Sequence, residues 1–265
     1  MTMRDMLHDL FGLAGKTAIV TGGARGVGAM ITRALVGVGA DVLVIGRSLA
    51  EGNAFIDDLQ GPGSATFLAH DLSSIDGVRH AAADVSAKAA KIHILVNNAG
   101  AFSAGPIEDA DPDRWDAEMA LNLRAPFFLT QGLLPNLRAA VQPDDPARII
   151  NIGSIGALWG KSSNGAYAYG ATKAAIHQLT RMMAADLTAG GITVNAIAPG
   201  YFPSDMTDGF FAAVPGLKDA VIATIPAGRL GTPQDMGGTV IYLASRAGAY
   251  VSGTILPLEG AAWQA

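Results

Sequence analysis

The chain contains no cysteine, so it forms no disulfide and offers no thiolate to a metal; redox chemistry has to come from a bound cofactor. Charge is sparse, at 15% of residues, with a net −5. Lys and Arg are scattered rather than gathered into a stripe, which argues against a nucleic-acid surface. No apolar run reaches the ~18 residues needed to span a bilayer, and the opening stretch MTMRDMLHDLFGLAGK is broken by His8 and Asp9, so neither a membrane span nor a secretory signal is expected. These absences point to the cytoplasm and to a small-molecule partner. Aromatics are few: Trp115, Trp159 and Trp263 are scattered, and His70, His80, His93 and His177 lack metal-ligand spacing, so no metal is expected.

Aliphatic residues are what the chain has in quantity. Half of its 265 residues are hydrophobic, enough for one large domain with a sizeable core. Seven nearly all-apolar runs, KTAIVTG, ADVLVIG, ATFLAHD, HILVNNAG, ARIINIGS, GITVNAIAPG and GTILPLEG, alternate with stretches of helical period. Strands without polar alternation are covered on both faces, so the expected fold is α/β, a single-domain, Rossmann-type, doubly wound sheet of seven parallel strands. Residues 1–12 read as an N-terminal extension and 13–265 as the catalytic domain. Residues 201–230 are long and weakly periodic, either a lid over the ligand crevice or a poorly patterned helix pair.

The stretch IVTGGARGVGAMITRAL runs from a strand through a glycine-rich turn into a helix, the setting in which backbone N–H groups bind a pyrophosphate. Gly22, Gly26 and Gly28 are spaced GxxxGxG, wider than GxGxxG. After the second strand an acid would bind the ribose 2′-hydroxyl of NAD. Here the position holds Gly46, with Arg47 next to it and Arg25 inside the glycine loop; two cations and no acid suit the 2′-phosphate of NADP(H).

In order along the chain, TGGARGVG, NNAG at Asn97–Gly100, INIGS ending at Ser154, YGATK, and APG at Ala198–Gly200 resemble the short-chain dehydrogenase/reductase family, in the style of 3-oxoacyl-thioester reductases, from about Leu13 to Gly260. The resemblance implies a nicotinamide cofactor and an Asn-Ser-Tyr-Lys tetrad on Asn122, Ser154, Tyr169 and Lys173. It also implies cofactor contacts from Val27 and Ser48 beside the groups already named, from Asp71 and Leu72 near the adenine, and from Asn98, Ala99 and Gly100. Pro199, Gly200, Phe202 and Ser204 would lie around the nicotinamide, and Tyr169 and Lys173 would touch it too. It further implies a homotetramer.

Two tyrosines compete for the catalytic role, because AYAYGATK holds both Tyr167 and Tyr169. The usual family distance from serine favours Tyr167. A helix favours Tyr169, since residues at i and i+4 share a face while i and i+6 do not, and the polar loop GKSSNGA can absorb two extra residues where a helix cannot. A free phenol ionises near pH 10, and the ammonium of Lys173 is expected to lower that. His177 reads as a helix-contact residue.

Phe102, Trp159, Tyr167, Phe202, Phe210 and Phe211 suggest an apolar approach. The expected reaction is therefore NADPH-dependent reduction of a 3-oxoacyl thioester or related β-keto compound. An NADP-dependent polyol, sugar or secondary-alcohol dehydrogenase is the alternative, and a non-catalytic NADP-binding sensor or scaffold a remote one. An acidic carrier protein would need a basic docking patch; beside QPDDPAR and LTAGG the sequence leaves only Arg138 and Arg148 for it.

Overall fold

The computed structural model describes residues 2–158, 165–212 and 215–262. Its seven strands are β1 Thr17–Thr21, β2 Asp41–Gly46, β3 Ser64–Ala69, β4 Ile94–Asn97, β5 Ala147–Ile152, β6 Ile192–Pro199 and β7 Ile255–Leu258. They fall on the seven apolar runs. All pair in parallel, in the order β3-β2-β1-β4-β5-β6-β7, so the strand order reverses between β1 and β4.

The helices are α1 Met3–Phe11, α2 Gly26–Gly37, α3 Leu49–Asp57, α4 Ile75–Lys88, α5 Pro112–Met119, α6 Ala125–Ala140, α7 Tyr167–Leu187, α8 Asp205–Ala212, α9 Leu217–Thr224 and α10 Pro233–Ala244. Their starts are legible in local chemistry. Ser74 accepts from the Gly77 N–H at the head of α4, Asp111 does the same for Asp113 before Pro112, and Thr232 and Asp235 form a reciprocal capping box at α10.

Successive residues of one strand feed opposite cores. Ile19, Leu95 and Ile149 join Val78, Val85, Leu129, Leu133, Leu137 and Met183 from α4, α6 and α7. Ala18, Val20, Ile94, Val96 and Ile150 join Ile31, Leu35, Met236, Val240 and Leu243 from α2 and α10 on the other face. Two-sided burial is what excludes polar alternation from these strands. Among the described residues of 201–230 are the two helices α8 and α9.

Leu133 is fully buried between α6 and the sheet. Leu133→Ala is expected to lower unfolding stability by about 2–5 kcal/mol through lost transfer energy and a residual cavity, read as a lower urea midpoint at unchanged slope.

Candidate active site

Where the strand order reverses, β1 turns into α2 through Gly22 and Gly26, whose φ angles are +62° and +50°. Gly28 packs so closely that a Cβ there would stand 2.1 Å from the Gly22 carbonyl oxygen. The N-cap residue of α2, Arg25, caps nothing with its side chain, which leaves the amides of the first turn, Gly26, Val27 and Gly28, open to an anion. The opposite lip belongs to β4. The N–H groups of Asn98 and Ala99 both donate to Thr21 Oγ1 at 2.9 Å, and the Asn98 side-chain amide donates to the carbonyls of Thr21 and Gly22 at 2.9 and 3.1 Å.

Around this crevice stand most of the other residues expected there. Arg25 and Arg47 are exposed. A Cβ on Gly46 would come within 2.9 Å of the Phe67 ring, so this backbone position has no room for the missing acid. The Ser73 N–H, at 3.0 Å, holds the Asp71 carboxyl below its usual range, with the Arg47 charge adding to the effect. Ser204 lies against Gly26, 3.1 Å from where a Cβ would be, and Gly200 packs against Glu259. Three side chains point elsewhere than expected. Leu72 is in the core under α4. Ser48 Oγ caps α3 by accepting from the Glu51 N–H. The Phe202 ring, 3% exposed, fills the space over Gly231 in the other core and lines no open pocket; a phenyl ring gains more from burial there than at a wet crevice.

The second half of the site follows β5. Ser154 Oγ accepts from the Gly156 N–H at 3.0 Å, and the Ser154 hydroxyl is near enough to favour the ionised Tyr169 phenol. Tyr169 and Lys173 share one face of α7, with Nζ 5.5 Å from the ring centroid, as helical spacing requires. Tyr167 turns outward and is 42% exposed. Lys173 is 5% exposed; its ammonium donates to the Ile152 carbonyl at 2.8 Å and lies beside Gly100. The ring of Phe102 meets Tyr169 edge-on at 5.1 Å. Asn122 sits on a π-helical stretch, Ala120–Arg124, between α5 and α6. Its amide donates to the Ala101 carbonyl and to Thr172, and its oxygen accepts from the Ala101 N–H. The Asn122 side chain thus ties the segment after β4 to α7. Trp159 lies outside the described residues, as does the side chain of Phe210.

The electrostatics correct one expectation. Burial pushes the Tyr169 phenol up, opposed by the Ser154 hydroxyl and reinforced by the Glu118 carboxylate. The protein alone therefore does not lower it, because desolvation outweighs the Ser154 hydroxyl. Burial also pulls Lys173 down to about 8, and His177, packed over Gly153, down to about 4. Glu118 on α5 was not singled out from sequence. It is 2% exposed, it accepts from the Ser103 hydroxyl, and burial pushes its carboxyl up. The available signal was its place four residues before Asn122 on one helix. Arg148, a candidate docking cation, is 2% exposed, paired with Asp145 and donating to the Ser245 carbonyl; only Arg138 remains exposed.

Burying the Lys173 ammonium costs stability with a definite sign. The unfolded chain keeps this proton up to 10.5 while the folded protein releases it at about 8, so stability rises with pH across that window. Lys173→Met is expected to resist urea better than the parent at pH 7, by about 1–3 kcal/mol, and to lose that advantage between pH 8 and 10.5. A less stable variant at pH 7, or an advantage independent of pH, contradicts this account.

Residues 22–260 match the family model described as enoyl-(acyl carrier protein) reductase. The chain is 41% identical over 96% of its length to a rhamnolipids biosynthesis 3-oxoacyl-[acyl-carrier-protein] reductase of Pseudomonas aeruginosa, covering 98% of that protein. It is 37% identical over 96% of its length to a 2-dehydro-3-deoxy-D-gluconate 5-dehydrogenase of Bacillus subtilis, covering 97% of it. The solved Pseudomonas aeruginosa RhlG/NADP active-site complex superposes with a TM-score of 0.92 at 41% identity, over 97% of this chain and 99% of that one. With the glycine loop, the Asn98 clasp and the Ser154–Tyr169–Lys173 face in one crevice, these likenesses give the conclusion that the chain belongs to the short-chain dehydrogenase/reductase family.

Proposed function

We propose that this chain is an NADP(H)-dependent carbonyl reductase that converts a 3-oxoacyl thioester or related β-keto compound to its 3-hydroxy product. The observation that carries the reading is the grouping of Ser154 after β5 with Tyr169 and Lys173 on one face of α7, the Lys173 Nζ standing 5.5 Å from the phenol ring. Two neighbouring O–H donors suit a carbonyl oxygen that is becoming an alkoxide.

The residues present fit a phosphorylated nicotinamide dinucleotide. The open first turn of α2 would take the pyrophosphate, Arg25 and Arg47 the 2′-phosphate, Asp71 the adenine side, and Asn98 to Gly100 with Pro199 to Ser204 the nicotinamide end, where Phe202 offers backbone only. Bound there, NADPH supplies the hydride that becomes the new C–H bond. Ser154 orients the carbonyl, Tyr169 gives its proton to the oxygen, and Lys173 fixes the proton balance of the pair. Asn122 holds the wall that keeps them together. Relatives are named as NADP complexes and as 3-oxoacyl-[acyl-carrier-protein] reductases, which supports both cofactor and reaction.

Other relatives are named as gluconate dehydrogenases, and they support a second reading, NADP-dependent oxidation of a sugar acid at the same site. Since Arg148 is buried, the acyl reading favours a thioester free of an acidic carrier. The pair α8–α9 serves as the lid, starting where Ser204 meets Gly26. The chain works in the cytoplasm as a homotetramer through α6 and α7, whose outward residues include Phe127, Phe128 and Met182. Residues 1–12 form an extension to the catalytic domain at 13–265.

The cofactor reading is checked by kcat/KM with NADPH and NADH. Two charge-assisted contacts of roughly 1.5–3 kcal/mol each give at least about a tenfold preference for NADPH; parity or a preference for NADH overturns it. Tyr169→Phe is expected to abolish turnover with little change in cofactor affinity, while Tyr167→Phe keeps most of kcat, and the reverse pattern refutes the assignment. A panel of β-keto thioesters, ketones and keto-sugars decides the substrate: sugars turned over a hundredfold better, about 2.7 kcal/mol in transition-state binding, would establish the dehydrogenase reading instead.

A further inference from the structure

Behind the catalytic face lies an acid that the reaction as described does not use. Glu118 is buried on α5. One of its carboxylate oxygens accepts from the Ser103 hydroxyl; the other, Oε2, is buried with no hydrogen-bond partner among the described residues. A buried carboxylate with one oxygen lacking a protein donor is costly, and an aliphatic residue would fill the same helix position without that cost.

The surroundings say what the charge acts on. The helix that carries Glu118, α5, packs against α7, which carries Tyr169 and Lys173, and the Glu118 charge reaches both. Ser103 meets it from the loop after β4, next to Phe102, whose ring rests on Tyr169. On its own helix the charged neighbours Asp113, Arg114 and Asp116 are exposed to solvent, so they act on it only through water. The neutral amide of Asn122 follows one turn later.

We propose that Glu118 is a positioning residue for reduction: its carboxylate, held by Ser103, keeps the Tyr169–Lys173 pair loaded with its protons and steadies the loop that carries Phe102. The inference rests on Tyr169 and Lys173 being the acid–base pair. A negative charge in this wall favours the ammonium of Lys173 and the neutral phenol of Tyr169 alike, and the Glu118 charge raises both groups. Lys173 in return favours the ionised carboxylate against its burial. Reduction needs the phenol with its proton, whereas alcohol oxidation needs the phenolate. Glu118 therefore tilts the site toward reduction and carries that activity to higher pH.

The test is the pH profile of kcat between about pH 6 and 10, in both directions, with NADPH and a β-keto substrate that the parent enzyme turns over, and with NADP and the matching alcohol. Glu118→Gln is expected to move the alkaline limb of reduction about one pH unit lower, the effect of removing one nearby buried charge, and to move the rising limb of oxidation the same way. KM for NADPH should stay within about twofold. Glu118→Asp keeps the charge and should keep most of the parental limb. Ser103→Ala, which leaves Glu118 in place without its donor, should shift the limb in the same direction by less, and it decides the matter if Glu118→Gln does not fold. Coincident profiles, a shift to higher pH, or a change confined to KM overturns the proposal. A Tyr169→Phe variant that retained turnover would instead sink the acid–base reading beneath it; a dead Tyr169→Phe with an unmoved Glu118→Gln profile removes Glu118 alone.

Discussion

A single side-chain amide, that of Asn98, takes two backbone carbonyls at the end of β1, those of Thr21 and Gly22, while Thr21 Oγ1 takes the N–H groups of Asn98 and Ala99 in return. β1 and β4 are neighbours in the sheet, yet the segments that follow them leave in opposite directions, so no ladder continues between them and a crevice has to open. Without the clasp the carbonyls at its floor would be short of partners. With it, the glycine loop has one allowed path, and Gly28 can approach Gly22 closely enough to aim the first turn of α2 outward. The loops after β4, β5 and β6 then converge on the same edge, bringing Gly100, Ser154 and Ser204 around it.

The other side of the crevice is governed by the cost of burying charge. Lys173 is held by one carbonyl, Ile152, and by its position behind Tyr169. Asn97, Asn151 and Thr180 form a buried hydrogen-bonded chain linking β4, β5 and α7. This ladder fixes the height of α7 against the sheet without adding a charge, so the lysine is placed by neutral groups. Burial alone drives Lys173 and Tyr169 toward their uncharged forms, and the nearby carboxylate of Glu118 works against that on the lysine. The proton inventory of the site is therefore a property of three elements packed together rather than of the α7 motif.

The family relationship narrows the chemistry more than the substrate. Relatives of similar identity are named for acyl-thioester reduction and for sugar-acid oxidation, on the same fold and over nearly the same length. A scaffold of this kind holds the reacting groups constant and leaves recognition to loops. In this chain the segments beside the site include the one with Phe102 and the pair α8–α9, where Phe211 is buried against Tyr201. Arg148 is buried and serves the fold by pairing with Asp145.

The strands, the glycine turn and the choice between Tyr167 and Tyr169 rest on short-range rules: apolar runs, glycine where a Cβ cannot fit, and a helical period of 3.6 residues. Local rules of that kind are written in consecutive residues, and the sequence by itself determined the parallel sheet and the shared face of Tyr169 and Lys173. It could not say that Phe202 turns into the core over Gly231, that Arg148 is buried, or that the Tyr169 phenol is pushed up rather than down. Nor did it single out Glu118, which in DRWDAEMALN looks like any acid on a polar helix. Each of these depends on what long-range packing brings against a side chain, and desolvation, unlike helical period, has no sequence spacing. The tertiary structure alone decided which charges lost their water.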